Sequence, residues 1–166
     1  MKWSKLKHTI EGCFADEVRG KVHIYTTKYT AGSNFMVRGW ITIDKKEIAN
    51  FSTPDNHARF GHSSPDHNER ISAEERTEGD ATEKGEFAQW ELPDACLQYI
   101  NQSIEQSLSS PNPIIRCFAM LDRRTGKRRL LSLETTDMHP LVKRMYELRM
   151  EATGMNERKG AIENKS

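Results

Sequence analysis

The sequence lacks any run of 18 apolar residues, so no segment reads as a transmembrane helix. It has only three cysteines, Cys13, Cys96 and Cys117, far apart and in no CxxC pair. An odd number so spaced excludes a disulfide-stapled miniprotein and reads as reduced thiols. The opening MKWSKLKHTIEGCF has no continuous apolar core and does not read as a secretory signal. A cytoplasmic location is therefore expected. Large apolar side chains are scarce too: Leu, Ile, Val and Phe are 31 of 166 residues. That is close to the level at which chains fail to fold, but a disordered chain also carries a large net charge, and this one carries +1.

Catalytic and cofactor signatures are missing as well. There is no GxSxG, HExxH or GxGxxG. Gly126-Lys127 is followed by Arg128 rather than Ser or Thr, so it is not a phosphate-binding P-loop. No cofactor and no metal are expected. His57, His62 and His67, with Asp55 and Asp66, lie in a polar stretch at a spacing of five, which fits neither one helical face nor a compact zinc motif. They read as a solvated loop. Glu157-Arg158-Lys159 has the ExK pattern of metal-dependent nucleases, but it falls in a polar tail and not on a strand.

The scarcity is local. Between Thr53 and Glu86, 34 residues hold only Phe60 and Ile71 as large apolar side chains. This segment cannot bury enough surface to offset its chain entropy and reads as a flexible polar insert at 53–86. The remainder is ordinarily apolar, which predicts a single domain with a frayed tail at 155–166. Charge is divided in the same way. Residues 1–65 carry net +4, residues 66–110 net −8 and residues 111–166 net +5, so the neutral total conceals basic ends around an acidic middle.

Trp3, Leu6, Ile10, Cys13 and Phe14 recur at helical spacing and predict a helix that stops before Gly20. Lys21–Thr30, Phe35–Ile43 and Glu47–Ser52 read as strands, with Asp44-Lys45 as the second turn. Phe35, Val37, Ile41 and Ile43 share one parity. The other parity holds His23, Tyr25, Thr27 and Tyr29 on one strand and Met36, Arg38, Trp40 and Thr42 on the next. Interleaved aromatic and basic groups on a sheet can stack unpaired bases. Enough helices are expected to cover both faces, however, so these rings are read as core. After the insert, Pro93-Asp94 opens a helix with Leu97, Ile100, Ile104 and Leu108 on its apolar side. Asn112 with Pro113 reads as an N-cap and first position for a helix that buries Ile114, Ile115, Phe118 and Leu121 and ends at Gly126. Lys127–Leu133 reads as a short strand or extended turn, and a last helix runs from Pro140 to Ala152. The fold class is α+β: an N-terminal helix, a three-stranded antiparallel meander, the insert, then a group of about three helices.

The stretches MKWSKLK, GWITIDKKEIANFS, SPNPIIRCFAMLDRRTGKRRL and YELRMEATG resemble an uncharacterised family of small bacterial proteins. The resemblance covers both ends and skips Thr53–Glu86. It implies a bacterial cytoplasmic protein and carries no catalytic residues with it.

One constellation stands out. Arg116, Arg123, Arg124, Lys127, Arg128 and Arg129 lie close together in the sequence against a single acid, Asp122. Arginine forks match phosphate geometry, and clustered cations gain by releasing the counterions condensed on nucleic acid. The expected function is a non-catalytic cytoplasmic binding protein whose 116–129 edge meets nucleic acid or an acidic protein, with no membrane partner. Two alternatives stand beside it. One is a small enzyme with a cleft between sheet and helices, using Arg116, Asp122 or His139. The other is a protein–protein module whose acidic middle folds back on the basic ends.

Overall fold

The computed structural model describes residues 1–31, 34–52, 81–82, 86–88 and 90–156. Helix α1 (Trp3–Cys13) buries Leu6 and Ile10 and ends where Phe14 turns extended. Strands β1 (Val22–Ala31), β2 (Asn34–Ile43) and β3 (Lys46–Ser52) form an antiparallel meander in the order β1-β2-β3. Asp44 and Lys45 both take positive φ, 48° and 70°, which gives the tight turn whose twist suits a hairpin. Alternation along the strands sends Val22, Ile24, Ile41 and Ile43 into the core. On this face Gly39 admits α2 (Glu91–Ile100) closely: a Cβ at position 39 would stand 3.0 Å from Leu92 Cδ2.

Both edges of the sheet are engaged. On the β1 side, Glu11 accepts the Ile24 N–H at 3.0 Å, and Lys7 donates to the Ile24 carbonyl at 2.9 Å. On the β3 side, Ala81 N–H donates to the Ile48 carbonyl at 2.7 Å, and Asn50 N–H donates to Thr82 Oγ1 at 3.2 Å. Ala81, Thr82 and Glu86 belong to the segment expected as an insert, yet Ala81 and Thr82 are buried and Glu86 pairs with His139. The rest of that expectation, 53–80 with His57, His62, His67, Asp55 and Asp66, lies outside the described residues, as does 157–166 with Glu157 and Lys159. Met155, expected at the start of a frayed tail, is buried, and its N–H closes on the Met150 carbonyl at 3.0 Å.

Among the described residues five helices follow the sheet where about three are expected: α2, α3 (Ile104–Leu108), α4 (Pro113–Leu121), α5 (Lys127–Leu131) and α6 (Pro140–Ala152), of which α3 and α5 are short additions to the expected group. Two local causes account for the difference. The single helix expected from Pro93 to Leu108 breaks at Asn101 because Ser103 and Gln106 form a reciprocal capping box that starts a new helix. The buried face also shifts: α2 turns Leu92, Ala95, Cys96 and Tyr99 inward, and Leu97 is exposed. Gly126 does not end α4, which stops at Leu121; it is the N-cap of α5, so Lys127–Leu131 is helical rather than extended. The Asn112 cap with Pro113 and the Pro140–Ala152 bounds follow the sequence, with Asn112 Oδ1 accepting the Ile114 N–H at 2.9 Å.

Helix α1 reaches the face of the sheet opposite the core with Lys7 and Glu11. His23, Tyr25, Arg38 and Trp40 are half-buried there. Tyr25 and Trp40, paired across β1 and β2, stack at 5.1 Å. Lys7 Nζ lies 4.5 Å from the Tyr25 ring and the Arg38 guanidinium 4.6 Å from the Trp40 ring. Each ring already has a ring neighbour and a cation, so this is a self-partnered layer, neither core nor a bare stacking platform. No helix among the described residues is long and apolar enough to cross a membrane.

Candidate polyanion-binding site

The basic cluster is built on the connection between α4 and α5. Asp122 caps α4 in an extended conformation, and its Oδ1 accepts the Arg124 N–H at 2.7 Å. Thr125 is buried and ties the turn down, donating from Oγ1 to the Ala119 carbonyl at 2.6 Å and from N–H to the Asp122 carbonyl at 3.0 Å. Helix α5 is anchored through Leu130, whose side chain is fully buried and whose carbonyl accepts the Tyr146 hydroxyl at 3.2 Å. Leu131 packs against the core beside it, while Lys127 and Arg128, on the first turn of this short helix, are left in solvent.

Four of the six expected cations come together. Arg124, Lys127, Arg128 and Arg129, with Gly126 and Ser132, line a surface depression of about 480 Å³. Arg123 does not join them: its Nη1 donates to the Gly12 carbonyl at 3.2 Å and its N–H to the Cys13 carbonyl at 3.1 Å, at the C-terminal end of α1. There it offsets the partial negative charge of the helix end. Arg116 does not line the depression either, and its Nε is buried without a partner among the described residues.

The four lining cations differ in what holds them. Arg129 Nη2 donates to Glu105 Oε1 at 2.8 Å, an exposed ion pair. Arg124 forks onto Asp122, with Nε at 3.1 and 3.2 Å from the two carboxylate oxygens and Nη2 at 2.8 Å. Asp122 has no exposed surface and also accepts the Tyr99 hydroxyl. Burial alone would raise its pKa, but the Arg124 fork and the Tyr99 hydroxyl outweigh it and hold the carboxyl below its ordinary range. Burial, reinforced by the adjoining carboxylate, pushes the Tyr99 hydroxyl far up, so it stays a donor. Lys127 and Arg128 are exposed and have no acidic partner among the described residues.

Sequence reading missed Tyr99. Nothing in its spacing marks it, because it meets Asp122 only through the packing of α2 on α4. The groups named for an enzymatic cleft have other engagements. Asp122 is enclosed by Arg124 and Tyr99; His139 accepts the Leu141 N–H on Nδ1 at 3.0 Å and faces Glu86 with Nε2. Neither lines the depression. Burial pushes the Cys96 thiol up to about 12 and raises Cys117 likewise, so both are neutral thiols in the core. Among the described residues no three His, Cys, Asp or Glu side chains gather to hold a metal ion.

No curated protein and no solved structure matches the chain. A family model does match it, over residues 2–150, and this range overlaps each stretch of the resemblance read from the sequence and includes the sheet and the whole basic turn. The chain belongs to the SF0329 protein family.

Proposed function

We propose that this is a non-catalytic, bacterial cytoplasmic binding protein that takes a polyanion, nucleic acid foremost, in the depression between Arg124 and Ser132. The observation that carries the reading is the pair Lys127 and Arg128, exposed without an acidic partner among the described residues and flanked by Arg124 and Arg129 around one concavity. Cations left unneutralised on a rigid turn gain most from a ligand that arrives with its own condensed counterions. Each phosphate engaged lowers the logarithm of affinity with the logarithm of salt by about 0.9 for a duplex and about 0.7 for a single strand. Two to four contacts thus correspond to a slope of roughly −1.4 to −3.6.

The test is retention of labelled DNA and RNA at low salt, followed through a salt series. Wild type is expected to bind with a slope in that range. The double reversal Lys127→Glu, Arg128→Glu should lower affinity by at least about tenfold and flatten the slope. No retention at low salt, or equal retention by the reversal, would sink the reading. A second reading, an acidic protein partner, is favoured by the Arg129–Glu105 pair, in which a carboxylate already sits at the rim of the depression. Binding of a poly-glutamate probe with nucleic acid excluded would select it.

A further inference from the structure

We infer that Asp122 and Tyr99 are positioning residues, which hold the Arg124 guanidinium by one edge so that its other edge is a pre-set fork for a phosphate group. The inference rests on the polyanion reading above and names the group within it that sets geometry. Arg124 uses Nε and Nη2 on Asp122. Its Nη1 has no acceptor among the described residues, and the side chain is 45% exposed while lining the depression. The carboxylate that holds it is itself fixed from two other sides, by the Tyr99 hydroxyl and by the Arg124 N–H. Tyr99 is wholly buried, with its ring 5.9 Å from the guanidinium carbon.

An unrestrained arginine loses rotamer freedom on binding; one already held in place loses less, so part of the entropic cost of recognition is met on folding. The outward edge of the fork is planar and doubly donating, which suits two oxygens of one phosphate. Lys127 and Arg128, as unheld charges, add attraction without geometry.

This account and simple charge counting differ in sign. Asp122 is a negative charge beneath a basic site. By Coulomb attraction alone, Asp122→Asn adds one positive charge and tightens binding to any polyanion. If Asp122 positions Arg124, the same change weakens binding. The probe is a fluorescein-labelled single-stranded oligonucleotide of mixed sequence, read by anisotropy at one low salt concentration. Asp122→Asn is expected to weaken binding roughly tenfold despite its added charge. Arg124→Lys keeps the charge, lacks the fork, sits on a part-exposed side chain and should lose a similar factor. Tyr99→Phe should lose a few-fold. Thermal melts establish that each variant folds, and Arg124→Lys decides the matter if Asp122→Asn does not.

Equal or tighter binding by Asp122→Asn, with Arg124→Lys at wild-type affinity, overturns the inference while leaving the polyanion reading standing, provided the Lys127/Arg128 reversal abolishes binding. Absence of wild-type binding overturns both.

Discussion

Two parts of the molecule gather cations beside aromatic rings and use them in opposite ways. On the aromatic face of the sheet, Lys7 is shared among Glu11, the Ile24 carbonyl and the Tyr25 ring, and Arg38 among Glu47, Asn50 and the Trp40 ring. Both of these charges are answered within the fold. At the α4–α5 turn, Arg124 and Arg129 are answered on one side only, and Lys127 and Arg128 not at all among the described residues. Composition does not separate the two places. What separates them is the supply of acids: Glu11 and Glu47 stand across from the cations of the sheet, whereas the acid of the turn is buried beneath a single arginine. A basic cluster is a candidate site only after its internal partners have been subtracted.

That contrast can be broken most severely at Glu11. Glu11→Ala should cost about 2–3 kcal/mol in urea unfolding, because the Ile24 N–H, Lys7 and His23 lose their common acceptor. A loss below about 0.5 kcal/mol would mean that the sheet-face charges are not structural.

Asp122→Asn should cost about 2 kcal/mol at neutral pH, and this difference should close in acid. The sign follows from the direction of the shift. The folded carboxyl sits below its ordinary value of 3.8, so its contribution is complete above that value and is lost as pH falls through the folded pKa. Melts of wild type and variant should therefore converge below about pH 4. Parallel curves would show that Asp122 is not charged in the fold.

Arg38→Ala should cost about 1 kcal/mol, from its ion pair and its seat on Trp40. The smallest effect belongs to Lys127→Ala with Arg128→Ala, expected within about 0.5 kcal/mol of wild type. A larger loss there would indicate partners that the comparison denies these two residues.

Much of the fold was legible where local chemistry decides it. Asn112 with Pro113 and His139 with Pro140 both start helices where cap and proline stand together. Reading failed where two local signals competed. Apolar residues from Leu97 to Leu108 keep helical period straight through the break, and only Ser103 with Gln106 announces it. Gly126 is compatible with ending one helix or capping the next, and the buried seat of Leu130 decides for the second. Counting helices leads to reading the aromatic parity of the sheet as core, whereas His23, Tyr25, Arg38 and Trp40 are half-buried, and helix number does not say which face each helix chooses. For the site, the cation cluster was visible in the sequence. Tyr99 beneath it, and the split between held and unheld cations, were not, since both depend on residues distant in the chain.

The order of synthesis gives the core of the sheet a further meaning. Ile24, Ile41 and Phe51 leave the ribosome well before Leu92, Phe118 and Leu141, with which they share one buried cluster. Likewise the Leu121 carbonyl receives the Ala15 N–H at 2.8 Å and Arg149 Nη1 at 3.2 Å, joining three stretches that are made far apart in time. The meander therefore waits with an uncovered apolar face until nearly the whole chain exists. Nascent chains stopped before residue 90 should be the aggregating species in the cell, since α4 and α6, which share the core with the sheet, are made only afterwards.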